Sequence, residues 1–132
     1  MPSLDTNCLL RWFLNDVPQQ CQAVEALMAS PESVYVDDVV IIEAVFAMEK
    51  VMKLDRLMVR DFIEAAMATS IVMDRSLWSQ VMYLWTNHPK LSVVDVYLAV
   101  KTSMNGRGPM YTFDSKMVNQ LAGTAKCTVT VS

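Results

Sequence analysis

The chain has 132 residues, of which 53% are hydrophobic and 19% charged, and a formal net charge of −3. This composition excludes disorder and favours one tightly packed domain over residues 1–132. The mild acidity argues against the broad basic surface that drives non-specific nucleic-acid binding.

Three features set the expected compartment. Glu43, Glu49 and Lys50 break the longest apolar run, so no stretch reaches the about 18 to 20 residues needed to cross a bilayer. The first residues lack a basic region followed by an apolar stretch and a cleavage site, so nothing marks secretion. Cys8, Cys21 and Cys127 are odd in number, widely spaced and without a CxxC pair, which fits reduced thiols better than a disulfide or zinc framework. A cytoplasmic protein with no membrane span is expected.

In chain order, Pro2 to Asp5 reads as a short strand, followed by helical apolar spacing over Asn7 to Asn15 and Val17 to Ala29, broken near Asp16 to Pro18. Ser30-Pro31-Glu32 turns into a strand at Ser33 to Val36. Asp38 is the expected N-cap of a helix running to about Met52, and Arg60 to Ala68 forms another. Ser70 to Met73 reads as a strand and Arg75 to Asn87 as a helix ended by His88-Pro89. Ser92 caps a helix reaching about Met104, with Asp95 three residues later, and the turn from Asn105 to Pro109 stops it. Met110 to Phe113 is a strand, Ser115 to Ala122 a helix, and Cys127 to Val131 a last strand. The alternation predicts an α/β domain whose mostly parallel central sheet, of about five strands, carries helices on both faces.

Four acids stand at the end of, or inside, runs that read as core: Asp5, Glu43, Asp95 and Asp114. An isolated carboxylate in apolar surroundings costs several kcal/mol, roughly, unless it is paired, protonated or bound to a metal. In a parallel α/β fold ligands bind beyond the carboxyl ends of the strands. Asp5 and Asp114 fall at strand ends and Glu43 and Asp95 in early helical turns, so one edge can collect all four. Converging carboxylates share protons or recruit Mg²⁺ or Mn²⁺, which prefer oxygen ligands. Such a metal lowers the pKa of bound water and neutralises a leaving oxygen. Dispersed acids without accompanying His or Cys ligands therefore point to phosphoryl transfer rather than zinc hydrolysis.

The segments around these acids are Leu4-Asp5-Thr6-Asn7, the stretch from Val34 to Glu43, Ser92-Val93-Val94-Asp95 and Tyr111-Thr112-Phe113-Asp114-Ser115-Lys116. In order and spacing they resemble the motifs of PIN-domain nucleases, over the whole chain and at the size of the toxin in VapBC-type toxin–antitoxin pairs. The resemblance implies a ribonuclease acting on RNA with one or two divalent metals, Mg²⁺ or Mn²⁺. On that pattern Asp5, Glu43, Asp95 and Asp114 form the acidic, metal-holding and catalytic pocket. Thr112 and Ser115 support the last motif, and Thr6 and Asn7 orient Asp5 or a bound water. The chain departs from some relatives at Leu98 and Ala99, where a further acid can follow the third motif, and at the bulky Val96 and Tyr97 after Asp95.

Plainer readings stand beside these. Asp5 and Asp114 can cap the helices that follow them, an arrangement stabilising by about 0.3 to 1 kcal/mol, and Asp95 can belong to a cap with Ser92. Lys50, Lys53, Arg56 and Arg60 form one basic run, and Lys101, Arg107 and Lys116 lie near the later acids; each also fits a solvated helix face. His88 lacks a nucleophile partner, Gly106 and Gly108 sit in a turn rather than a phosphate loop, and Asn7 replaces the second acid that a haloacid-dehalogenase-like phosphatase needs.

Eleven methionines are many for this length, and Val39 to Met52 is apolar around nearly its whole circumference. That surplus predicts a covering partner. By resemblance the partners are a cognate antitoxin and a second copy forming a homodimer. The alternatives kept beside the toxin are a catalytically silent PIN-like binding module and an RNA-processing nuclease without an antitoxin.

Overall fold

The computed structural model describes residues 1–121 and the backbone of 128–130. The chain divides into two compact units, Met1–Arg75 and Ser76–Ser132.

In the first unit Asp5 begins α1 (Thr6–Leu14), its side chain accepting from the Cys8 amide, and Asn15 ends the helix in the left-handed region at φ 47°. A conformation of that hand suits Asn better than most residues, because its short polar side chain bonds locally. Pro18, whose missing N–H is no loss at a first helical position, opens α2 (Pro18–Met28). α3 (Asp38–Phe46) is capped by Asp37 rather than Asp38, with Asp37 Oδ1 accepting from the Val39 amide at 2.9 Å. One π-helical turn, Ala47–Val51, continues α3, and the Met52 amide reaches back to the Ala47 carbonyl at 3.0 Å. Lys53, at φ 59°, then lets Asp55 cap α4 (Arg56–Met67), which starts a turn earlier than the apolar spacing predicts. α1 packs against α2 and α3. The Phe13 and Phe62 rings stack at 5.4 Å, joining α1 to α4. Leu9, Ile41, Val45, Met48 and Ile63 are buried in this unit.

The second unit holds most of α5 (Arg75–Asn87), then α6 (Val93–Met104) capped by Ser92, and α7 (Ser115–Leu121). β1 (Met110–Thr112) pairs in parallel with β2 (Thr128–Thr130), with Tyr111 opposite Val129. Trp78 and Trp85 are fully buried, and Trp78 stacks on Tyr97 at 5.5 Å, which ties α5 to α6. The expected strand ends Cys127 and Val131, and the helix end at Ala122, lie outside the described residues.

The expected α/β architecture is overturned. Seven α-helices dominate the described residues, and no five-stranded sheet is present among them. The segments expected as the first three strands are extended and run parallel, yet each contributes a single bridge: Ser3 to Tyr35 and Tyr35 to Val72. The backbone bonds are Leu4 to Tyr35, Tyr35 to Pro2, Val36 to Val72 and Val72 to Val34, at 2.7 to 3.0 Å. The cause is local. Pro2 has no N–H to extend a ladder. Asp5 and Asp37 cap helices immediately after the bridged residues and turn the backbone out of extended geometry. Arg75 closes the third segment with bonds from its guanidinium to the carbonyls of Met67, Thr69 and Ile71.

Candidate functional site

The first motif is built by the start of α1. Asp5 sits in extended geometry at φ −87° and ψ 177°, and its Oδ1 accepts from the Cys8 amide at 2.8 Å. That amide bond, reinforced by the Cys8 thiol, holds the Asp5 carboxyl below its ordinary range, so it is ionised at neutral pH. Burial pushes the Cys8 thiol up, and the adjacent carboxylate adds to the effect. Thr6, the first residue of α1, turns its hydroxyl to α3 and donates to Glu43 Oε2 at 3.3 Å. Motifs far apart in sequence thus meet at Thr6 and Glu43.

Glu43 is exposed, as is Asp5, while Asp95 and Asp114 are half-buried. No charged residue is buried among the described residues. The runs around Glu43 and Asp95 are helices with one solvated side, and those before Asp5 and Asp114 are short extended segments that end at helix caps, so none of the four carries the cost of full burial inferred from the linear sequence.

The two later acids belong to the second unit. The Asp95 amide donates to Ser92 Oγ at 3.2 Å, the expected capping bond. Asp114 Oδ1 accepts from the amides of Lys116 at 2.9 Å and Met117 at 3.2 Å, capping α7. Thr112 Oγ1 accepts from the Asp114 amide at 3.0 Å and fixes the turn. Ser115 is exposed at the start of α7, and Asn7 is exposed on α1. Of the basic run, Arg56 pairs with Glu49 at 2.6 Å, Lys50 with Glu49 at 3.7 Å and Arg60 with Glu64 at 2.9 Å. These cations are balanced locally.

A cavity of about 300 Å³ adjoins Asp5, lined further by Asn7, Cys8 and Arg11 of α1 and by residues of α2. It was not read from the sequence. Its signal is the recurrence of Asp5, Cys8 and Arg11 every three residues, which places them on one helical side.

Asp5, Thr6 and Glu43 offer hard oxygen donors, matching Mg²⁺ or Mn²⁺ in ligand type. Among the described residues no three His, Cys, Asp or Glu side chains are grouped to hold a metal. Mg²⁺ commonly takes only one or two carboxylates and keeps several waters, so these residues match it in ligand type and form no cage of protein ligands. Comparison with protein-family models, curated proteins and solved structures returns no match. Among the described residues no helix is long and apolar enough to cross a membrane.

Proposed function

We propose that the chain is a divalent-metal-dependent endoribonuclease that hydrolyses RNA phosphodiester bonds, acting as the toxin of a toxin–antitoxin pair. The observation that carries this reading is the Thr6 to Glu43 hydrogen bond, which joins the first two of the four motifs resembling those of PIN-domain ribonucleases. The reading rests on those motifs and not on the sheet expected with them.

Asp5 and Glu43 would hold the metal, while Asp95 and Asp114 are the acids of the third and fourth motifs and belong to the second unit. Bound there, Mg²⁺ or Mn²⁺ supplies positive charge that makes water a better nucleophile and stabilises the departing oxygen. Asp5 contributes a carboxylate kept ionised by the Cys8 amide. Thr6 fixes the Glu43 carboxylate against rotation, and Thr112 fixes the turn that aims Asp114. Val39 and Phe46 are 57% and 56% exposed and lie one turn to either side of Glu43 on α3, so an antitoxin segment seated on them covers that carboxylate.

The second reading is a silent binding module. It is favoured by the capping bonds of Asp5 and Asp114, which give both residues a structural role. Incubating the purified chain with RNA in Mg²⁺ or Mn²⁺, and again in EDTA, separates the two. Metal-dependent cleavage lost in Asp5→Asn supports the nuclease, and its absence from the parent protein overturns it.

A further inference from the structure

The cavity beside Asp5 has a chemical character that hydrolysis alone does not use. One wall is the side of α1 carrying Asp5, Cys8 and Arg11, and the other is the side of α2 carrying Gln20, Ala23 and Val24. Val24 is buried and Ala23 open to solvent, so an apolar floor rises to an accessible rim. Asn7 and Gln20 bring two amides, each with donors and an acceptor. Arg11 is tied through Nη1 to Asp16 at 2.8 Å, which balances its charge locally, and its side chain is part of the wall.

The charge balance selects the occupant. The Arg11 charge is already matched by Asp16, and Asp5 Oδ1 is engaged by the Cys8 amide. A phosphate inside the cavity would find no unpaired cation among its lining residues. A neutral planar ring instead meets apolar surface, amide edges and a guanidinium that stacks on π-faces. The volume of about 300 Å³ lies at the lower end of small-molecule sites, roughly 300 to 1,000 Å³. From Asp5 to Arg11 the helix advances about 9 Å at roughly 1.5 Å per residue, on the order of one nucleoside.

We propose that the cavity between α1 and α2 is a nucleoside subsite, receiving one base and its ribose from single-stranded RNA beside the phosphate cleaved at Asp5. This assignment rests on the ribonuclease reading, and it adds a specificity element to it: Gln20 and Asn7 select the base by its hydrogen-bonding edge.

The test titrates uridine, cytidine, adenosine and guanosine into the ¹⁵N-labelled full chain. Amide shifts confined to Asn7, Cys8, Arg11, Gln20 and Ala23, strongest for one base, are expected. Ala23→Trp, at an open position, fills the cavity; it should abolish those shifts and lower kcat/KM on RNA by about tenfold. Gln20→Ala, which keeps the helix and the floor, should weaken the preferred nucleoside several-fold and flatten base preference. A dispersed amide spectrum verifies folding of each variant. Unmoved pocket amides with all four nucleosides overturn the subsite, and the nuclease reading survives if the parent chain still cleaves RNA. Pocket shifts without any metal-dependent cleavage remove the nuclease reading and keep the nucleoside site. Shifts produced by a capped arginine amide but by no nucleoside assign the cavity to a peptide and overturn the proposal.

Discussion

The Thr6 hydroxyl donates to Glu43 Oε2 across 3.3 Å, linking the first residue of α1 to the middle of α3 over a sequence separation of 37. Glu43 is solvent-exposed, so this bond orients more than it stabilises. Thr6→Val keeps the shape and removes the donor. Its expected cost to stability is at most about 1 kcal/mol, read by urea unfolding, whereas RNA cleavage should fall by about tenfold or more through a wandering carboxylate. Equal cleavage by Thr6→Val and the parent would show that the bond serves the fold alone.

Asp5 separates its two roles by substitution. Asn caps a helix about as well as Asp, whereas Ala loses roughly 0.5 to 2 kcal/mol at such a position. Asp5→Asn should therefore unfold at nearly the parental denaturant midpoint and lack RNA cleavage, while Asp5→Ala loses both. The pH dependence has a definite sign. The folded pKa of Asp5 lies below its unfolded value because the Cys8 amide favours the carboxylate. Its contribution is present above the unfolded pKa and is lost as pH falls through the lowered one. Asp5→Asn should thus flatten the acid limb of stability below about pH 4; an unchanged limb would assign that dependence elsewhere.

The helices were legible in the sequence and the sheet was not. Apolar spacing locates α1, α2, α5 and α6 closely, and Ser92 caps α6 as read. Periodicity fails at the junctions, where capping decides: Asp37 takes the role expected of Asp38, and Asp55 starts α4 before Arg60. β-branched residues such as Val34 and Val36 do give extended backbone, but pairing length depends on where neighbouring helices begin. Of the candidate site, Thr6 donates to Glu43 and not to Asp5, the partner read for it from the sequence. The exposure of Glu43 could not be read, because a helix rich in apolar residues on several sides hides which side faces solvent.

Asp114 offers a parallel test in the second unit. Its carboxylate accepts from two amides at the start of α7, so Asp114→Ala should destabilise by about 1 kcal/mol and Asp114→Asn by much less. Thr112→Val loosens the same turn. If Asp114→Asn loses cleavage at parental stability, the carboxylate has a chemical role beyond its cap.

Divalent cations should stabilise the folded chain if the proposed site holds one, because a ligand that binds the folded state alone raises its stability. Saturation at a hundred times Kd adds about 2.7 kcal/mol, visible as a raised Tm in Mg²⁺ or Mn²⁺ against EDTA. Thr6→Val should reduce that shift and Asp5→Asn should remove most of it. A Tm indifferent to both metals, together with no heat of binding by titration calorimetry, would favour the silent module.

The last expectation concerns self-association. Val39, Phe46, Val51, Leu57 and Met58, from α3 through the π-turn into α4, are 48 to 71% exposed, an apolar concentration that a monomer in water has reason to cover. On the proposed homodimer a second copy would cover it in the isolated protein, and light scattering should then give a dimer. Phe46→Ser with Val51→Ser should shift the population to monomer while the subunit stays folded, because neither side chain belongs to the buried set. The antitoxin reading adds a competition: a partner seated on Val39 and Phe46 also covers Glu43, so binding should inhibit cleavage and fail in Phe46→Ser. A monodisperse monomer of the parent chain at high concentration would remove the dimer, and a bound partner that leaves cleavage undiminished would remove the antitoxin while sparing the nuclease.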